Sequence, residues 1–211
     1  MAGSELVDPT TISGPVQPAF PLTANHLDKF VEYRHTSFGQ ISTIAKVDLP
    51  RGSHFCYITT QIPVPKTTWS SIQTSKTDHI ELASGLVYMN HSCAPTLEIE
   101  VYSPNSKGEY PNGRAGEFRV LKDRDLKAGE ELTFFYPSTE YMSPRPFDCL
   151  CGAGEGVCIG RQAGAHFLPK TVLDIYFMND HIKELVAERD GGANVVEKLG
   201  SVGQTMQTVS G

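Results

Sequence analysis

The chain has 211 residues, and none of its apolar runs approaches the roughly 18 residues needed to cross a bilayer. Its opening stretch to Pro15 is polar and carries no apolar signal core. The expectation is therefore an intracellular protein, of cytoplasm or nucleus, with no membrane partner. No basic cluster marks an import signal. A formal net charge of −6 gives no electrostatic footprint for a phosphate backbone, so direct nucleic-acid binding is not expected. Tryptophan occurs once and cysteine five times. An odd number of cysteines in a reducing compartment speaks against a disulfide framework and for metal binding. With 19 glycines and 14 prolines, the chain favours short strands and turns over long helices. What remains is ordinary: 39% hydrophobic and 20% charged residues fit one soluble domain with appendages.

The stretch Gly85-Leu-Val-Tyr-Met-Asn-His-Ser-Cys-Ala-Pro95 stands out, because Asn90, His91, Ser92 and Cys93 follow an apolar run directly. That run, Leu86 to Met89, reads as a buried strand. Amides and imidazoles at its end need partners or a ligand. Around it, His54 to Val64 reads as a strand or hairpin and Lys66 to His79 as a loop or short helix. Leu97 to Tyr102 alternates with the period of a half-exposed strand. Glu117 to Leu121 and Glu131 to Tyr136 read as two more strands. Val172, Ile175, Tyr176, Ile182 and Val186 share one face of a helix, with Thr171 and Asp174 as its cap and Gly191-Gly192 as its stop. Asn179 sits inside that apolar face.

Cys149, Cys151 and Cys158 place three thiolate donors on a loop that Gly152, Gly154 and Gly156 let fold tightly. A structural zinc site takes four ligands, so the fourth comes from elsewhere, and Cys93 is the best candidate. The competing reading is cysteines without metal. Cys56, in a strand-like run, reads as a small buried hydrophobe. His54, His79, His166 and His181 show no ligand spacing and read as surface or satisfied core. Trp69 reads as a lid or a loop anchor.

Three segments in order resemble a SET domain followed by a post-SET cysteine loop. They are Asn90-His-Ser-Cys-Ala-Pro95, Glu130-Glu-Leu-Thr-Phe-Phe-Tyr136 and Phe147-Asp-Cys-Leu-Cys-Gly152. The resemblance runs from about Arg34 to Gly160, with Ser37-Phe-Gly39 as a looser match to the glycine loop. It implies a mainly β (α+β) fold of several small sheets, in which the first two segments form a pseudoknot, with a cysteine zinc loop and a C-terminal helix. The implied organisation is a flexible segment 1–25, a SET-like domain 26–146, a zinc loop 147–162, a helical extension 163–192 and a flexible tail 193–211.

The resemblance also implies S-adenosyl-L-methionine and Zn²⁺ as cofactors. Carried over residue by residue, Ser37, Phe38, Gly39, Gln40, Asn90, His91 and Tyr136 would grip the cofactor. Phe147 and Leu150 would lie against its adenine, and Cys93, Cys149, Cys151 and Cys158 would bind zinc. Tyr136 would be the catalytic tyrosine; outside this motif it would read as a strand-end tyrosine packing a core. The implied activity is methyl transfer to a protein lysine. A small metabolite is the alternative acceptor, with the cofactor as methyl donor or as a bound aid to cyclisation, and a non-catalytic binding module is the third reading. Three departures bear on this. The loop between Cys151 and Cys158 is longer than usual, which its glycines can accommodate. Thr96 replaces the family's usual asparagine, which is expected to weaken a hydrogen bond near the pseudoknot. The region from Ile58 to Leu86 is short and lacks the family's recognisable insert.

Overall fold

The structure is a computed structural model that describes residues 27, 31–35 and 41–191. The segments 1–25, Ser37 to Gln40 and 193–211 singled out above lie outside the described residues. In chain order the strands are β1 (Val31–His35), β2 (Ile41–Ala45), β3 (His54–Ile58), β4 (Gln61–Val64), β5 (Ser71–Gln73) and β6 (His79–Leu82). They continue with β7 (Asn90–His91), β8 (Leu97–Val101), β9 (Gly116–Val120), β10 (Thr133–Phe134), β11 (Phe147–Asp148) and β12 (Arg161–Gln162). Two helices follow, α1 (Lys170–Leu173) and α2 (180–191). No helix among the described residues is long and apolar enough to cross a membrane.

The strands form five small sheets, ordered β1-β2, β3-β9-β8, β4-β6-β5, β7-β10 and β11-β12. The β8–β9 pair shows why: Leu97 and Ile99 sit opposite Val120 and Phe118, and all four side chains are fully buried. The intervening Glu98 and Glu100 face away from this core, as a period of two requires. Leu86, Met89, Leu126, Leu132 and Phe134 complete the main core. A second core joins Phe135 and Ala165 to Leu173 of α1, Met178 of the following link, and Ile182 and Val186 of α2. The mainly β architecture of small sheets agrees with the sequence expectation.

Local expectations fared unevenly. Leu86 to Met89 is not a strand; Gly85–Tyr88 forms a 3-10 turn whose start is capped by the Ser84 hydroxyl accepting from Leu86 N. A Cβ at Gly85 would come within 1.7 Å of the Tyr33 hydroxyl oxygen, so any larger residue there makes the Tyr33 side chain move. The polar segment Lys66 to His79 contains β5, and its partner β6 begins at His79. His54 to Val64 does not close on itself as a hairpin, because β3 pairs with β9 and β4 with β6.

The single C-terminal helix also splits. Residues 174–179 leave the helical path, and the reason is Asn179. Its Nδ2 donates to Ile99 O (3.0 Å) and Ser138 O (2.9 Å), while Oδ1 accepts from Val101 N at 2.9 Å. Its own carbonyl then accepts from Ile182 N and Lys183 N, both at 3.1 Å, and so starts α2. The expected Thr171 cap is not used; Pro169 precedes α1 without a side-chain cap bond.

Candidate active site and metal site

The two motif segments meet as the parallel pair β7–β10, with Asn90 opposite Thr133 and His91 opposite Phe134. Ser92 N donates to Phe134 O (3.1 Å) and Thr96 N to Thr133 O (3.2 Å), extending the pairing beyond the strands. Thr96 is itself bonded into this junction. Its hydroxyl donates to Glu131 O at 2.9 Å and accepts from Thr133 N at 3.0 Å, so one short side chain satisfies two main-chain groups.

Beside this crossing lies a cleft of about 940 Å³. Asn90, His91, Tyr136, Phe147 and Leu150 all line it. Ile41 and Ser42, next to the undescribed Ser37 to Gln40, line it as well. Asn90 Nδ2 donates to Ile41 O (3.1 Å) and Glu131 Oε1 (2.8 Å), which ties β2 to the crossing. Phe147 and the 92%-exposed Leu150 present apolar surface at the cleft.

His91 is buried, and its tautomer follows from its partners. Tyr136 N, an obligate donor, lies 3.2 Å from Nδ1, which must therefore accept. The proton then sits on Nε2, 3.4 Å from Cys93 Sγ. Burial lowers the imidazole to a pKa of about 4, consistent with a neutral ring. The Tyr136 hydroxyl donates to Met89 O at 2.8 Å, and burial, then Glu140 and Glu131, push its phenol above the ordinary range.

The four cysteines nominated from spacing converge: the Sγ atoms of Cys93, Cys149, Cys151 and Cys158 all lie within 4.8 Å of one another. Cys93 and Cys149 are 3.8 Å apart, and Cys151 and Cys158 3.9 Å. Four thiolates about 2.3 Å from a tetrahedral ion stand roughly 3.8 Å apart, so the set fits such an ion. Ile159 N and Gly160 N point at Cys93 Sγ (3.4 Å) and Cys158 Sγ (3.5 Å), which stabilises thiolate charge. Cys56 lies apart in β3, its thiol pushed up to about 12 by burial and by Glu117.

Sequence reading did not nominate Glu131 or Glu140, although both line the cleft. Glu131 lies inside a motif and could have been found there. Glu140 follows in a proline-rich passage with no spacing signal.

The SET domain family model matches residues 27–137. Methyltransferase flvH of Aspergillus flavus is 41% identical over 171 residues, covering 81% of this chain and 85% of that protein. Histone-lysine N-methyltransferase Suv4-20 of Caenorhabditis briggsae is 39% identical over 64 residues, 30% of this chain and 16% of that one. Among solved structures, KRYPTONITE in complex with mCHG DNA and SAH aligns over 63% of this chain and 29% of that chain, with a TM-score of 0.47 and 18% identity. On the family match and the nearly full-length relative together, the chain belongs to the SET-domain family of methyltransferases.

Proposed function

We propose that this protein transfers a methyl group from S-adenosyl-L-methionine to an amine, with a lysine side chain of a protein as the first reading of the acceptor. The observation that supports it is convergence. Asn90, His91, Tyr136, Phe147 and Leu150, nominated from three separated segments, line one cleft. When bound there, the cofactor would supply a sulfonium-activated methyl group.

The chain's own residues would do the rest. Asn90 and His91 hold the crossing in register and would present its backbone to the cofactor's amino-acid part. The exposed apolar faces of Phe147 and Leu150 would cover the adenine. Tyr136, fixed by its bond to Met89 O, would keep an uncharged hydroxyl oxygen beside the methyl carbon. Its raised pKa keeps the phenol protonated at neutral pH. Alignment and exclusion of water would supply most of the acceleration. Cys93, Cys149, Cys151 and Cys158 would bind zinc, fastening the Phe147–Leu150 segment to the crossing through Cys93.

A small-molecule acceptor is the second reading. What keeps it open is that the chain spans only 16% of the histone-lysine enzyme Suv4-20, so that enzyme's protein acceptor does not carry over to this chain. The three-stranded sheet β4-β6-β5 is all the described chain offers between Gln61 and Leu82 as a wall for a peptide. Calorimetric titration with S-adenosyl-L-methionine tests the cofactor, and incubation of methyl-labelled cofactor with a cell extract tests the acceptor. Label in protein supports the first reading and label in small molecules the second. Absence of cofactor binding refutes both.

A further inference from the structure

Glu81 is a buried carboxylate outside the proposed chemistry. It lies in β6, the middle strand of the β4-β6-β5 sheet, and is 2% exposed. Its neighbours Ile80 and Leu82 belong to the main core, so with a period of two Glu81 points to the opposite face of the strand. Its side-chain partners are two hydroxyls: Thr68 Oγ1 donates to Oε1, and Ser70 Oγ donates to Oε2 at 2.6 Å. Both partners are neutral. Packing alone would favour an apolar residue here, since neutral donors compensate a buried carboxylate less fully than a cation does.

The residue between the two hydroxyls in the chain is Trp69. Each hydroxyl has one hydrogen, so giving it to Glu81 fixes both rotors. Further bonds close the turn. Thr68 Oγ1 accepts from Ser70 N at 3.2 Å, Thr68 N donates to Ser71 Oγ at 2.9 Å, and that hydroxyl donates to Thr68 O at 3.1 Å. Trp69 is thus held on both sides, and its side chain lines the cleft. β5 follows at once and reaches the cleft a second time. Gln73 N donates to Thr139 O (3.0 Å) and Gln73 Oε1 accepts from Tyr141 N (3.1 Å), bracketing Glu140, which also lines the cleft. Gln162 Nε2 and Ala165 N hold Glu140 in turn, at Oε2 and at its carbonyl. The β5–β6 pair therefore fixes a side of the cleft to which none of the residues assigned to the cofactor belongs.

We propose that Glu81 is a positioning residue: by binding both hydroxyls that flank Trp69, it fixes the indole as a rigid side of the cleft, facing the acceptor and not the cofactor. This rests on the methyl-transfer reading and adds to it the residue that sets one wall of the site. Glu81 itself touches neither reactant.

Trp69 is the only tryptophan in the chain, so its emission reports this turn alone. The test measures acrylamide quenching of that emission on the full chain. Glu81→Leu should raise quenching roughly twofold or more, because both hydroxyls lose their acceptor. Glu81→Gln keeps one oxygen for one hydroxyl and should fall between Glu81→Leu and the unaltered protein. In Glu81→Leu, affinity for S-adenosylhomocysteine should stay within about twofold, while transfer of labelled methyl groups into a cell extract should fall by roughly tenfold. Unchanged quenching in a folded Glu81→Leu protein means that Glu81 only packs, and overturns the proposal. Loss of S-adenosylhomocysteine binding puts Trp69 on the cofactor and overturns it too, as does a mobile indole with undiminished transfer. Should Glu81→Leu fail to fold, Ser70→Ala removes one hydroxyl and leaves β6 intact; it should show intermediate quenching, and unchanged quenching overturns the proposal. Failure of the methyl-transfer reading shows separately, as an unaltered protein that neither binds S-adenosylhomocysteine nor transfers label, and the quenching comparison then still decides whether Glu81 holds Trp69.

Discussion

The rings of Tyr176 and Phe135 lie stacked, with centroids 3.7 Å apart and an interplanar angle of 6°. The Tyr176 hydroxyl donates to Cys93 O at 2.8 Å. One side chain from the C-terminal extension thus touches a residue of the four-cysteine cluster and the neighbour of Tyr136. Tyr176→Phe should cost about 1 kcal/mol of stability for the lost bond, and Tyr176→Ala about 2 to 3 kcal/mol with the stack removed as well. Chemical denaturation of both variants checks the order. Equal stability of the two variants would show that the stack contributes nothing.

Tyr136→Phe removes the hydroxyl but keeps the ring packed against Phe134, whose centroid is 4.8 Å away. Turnover should fall by roughly tenfold or more, while cofactor affinity changes little. Single-turnover rates set beside calorimetric affinities separate the two. A variant with full turnover would remove Tyr136 from the proposed chemistry.

The cysteine cluster makes a stoichiometric prediction. Purified protein should hold about one zinc per chain, and a strong chelator should lower its melting temperature. Cys149→Ser should lose the metal, whereas Cys56→Ser should retain it, because Cys56 lies in β3 away from the cluster. Elemental analysis of the three proteins decides the matter. Zinc in the Cys149→Ser protein at the wild-type ratio would dismiss the cluster as its site.

His181 on α2 carries a pH dependence. It is 8% exposed, and burial, then the nearby His79, lower its pKa to about 4. Glu184 and Asp180 oppose the shift, and a bond with the Gln73 backbone does so too. The unfolded imidazole, near pH 6.5, binds protons that the folded one refuses, so stability is full above that pH and falls as pH drops toward 4. The loss amounts to about 3 kcal/mol at most. Melting curves across this range should show His181→Gln with a shallower slope than wild type. An identical slope would remove His181 as a contributor.

Much of the site was legible in the residues themselves. Thiolate spacing on a glycine-rich loop, the Asn-His-Ser-Cys run and the Glu-Leu-Thr-Phe-Phe-Tyr run are dictated by chemistry that tolerates few substitutes. The convergence of Cys93 on Cys149, Cys151 and Cys158 follows that reading. Glu140 was not legible, because a lone carboxylate among prolines carries no pattern; its significance comes from Gln73, Gln162 and Ala165, which are distant in sequence. The partners of Thr96 were not legible either, because only the folded chain brings Glu131 O and Thr133 N to the same hydroxyl.

The sequence by itself determined strands such as Leu97–Val101, whose alternation needs only side-chain period and burial. It also determined which four cysteines converge and the family to which the motifs belong. Tertiary structure alone decided where β3 and β4 find partners, because hydrogen-bonding edges do not announce their mates. It decided as well that the C-terminal helix breaks at Asn179. Helical periodicity counts apolar positions, whereas three bonds from one amide to Ile99, Val101 and Ser138 hold the chain out of the helix. Such bonds exist only once the two cores are packed, and so the residues that aim the cleft become visible only in the folded chain.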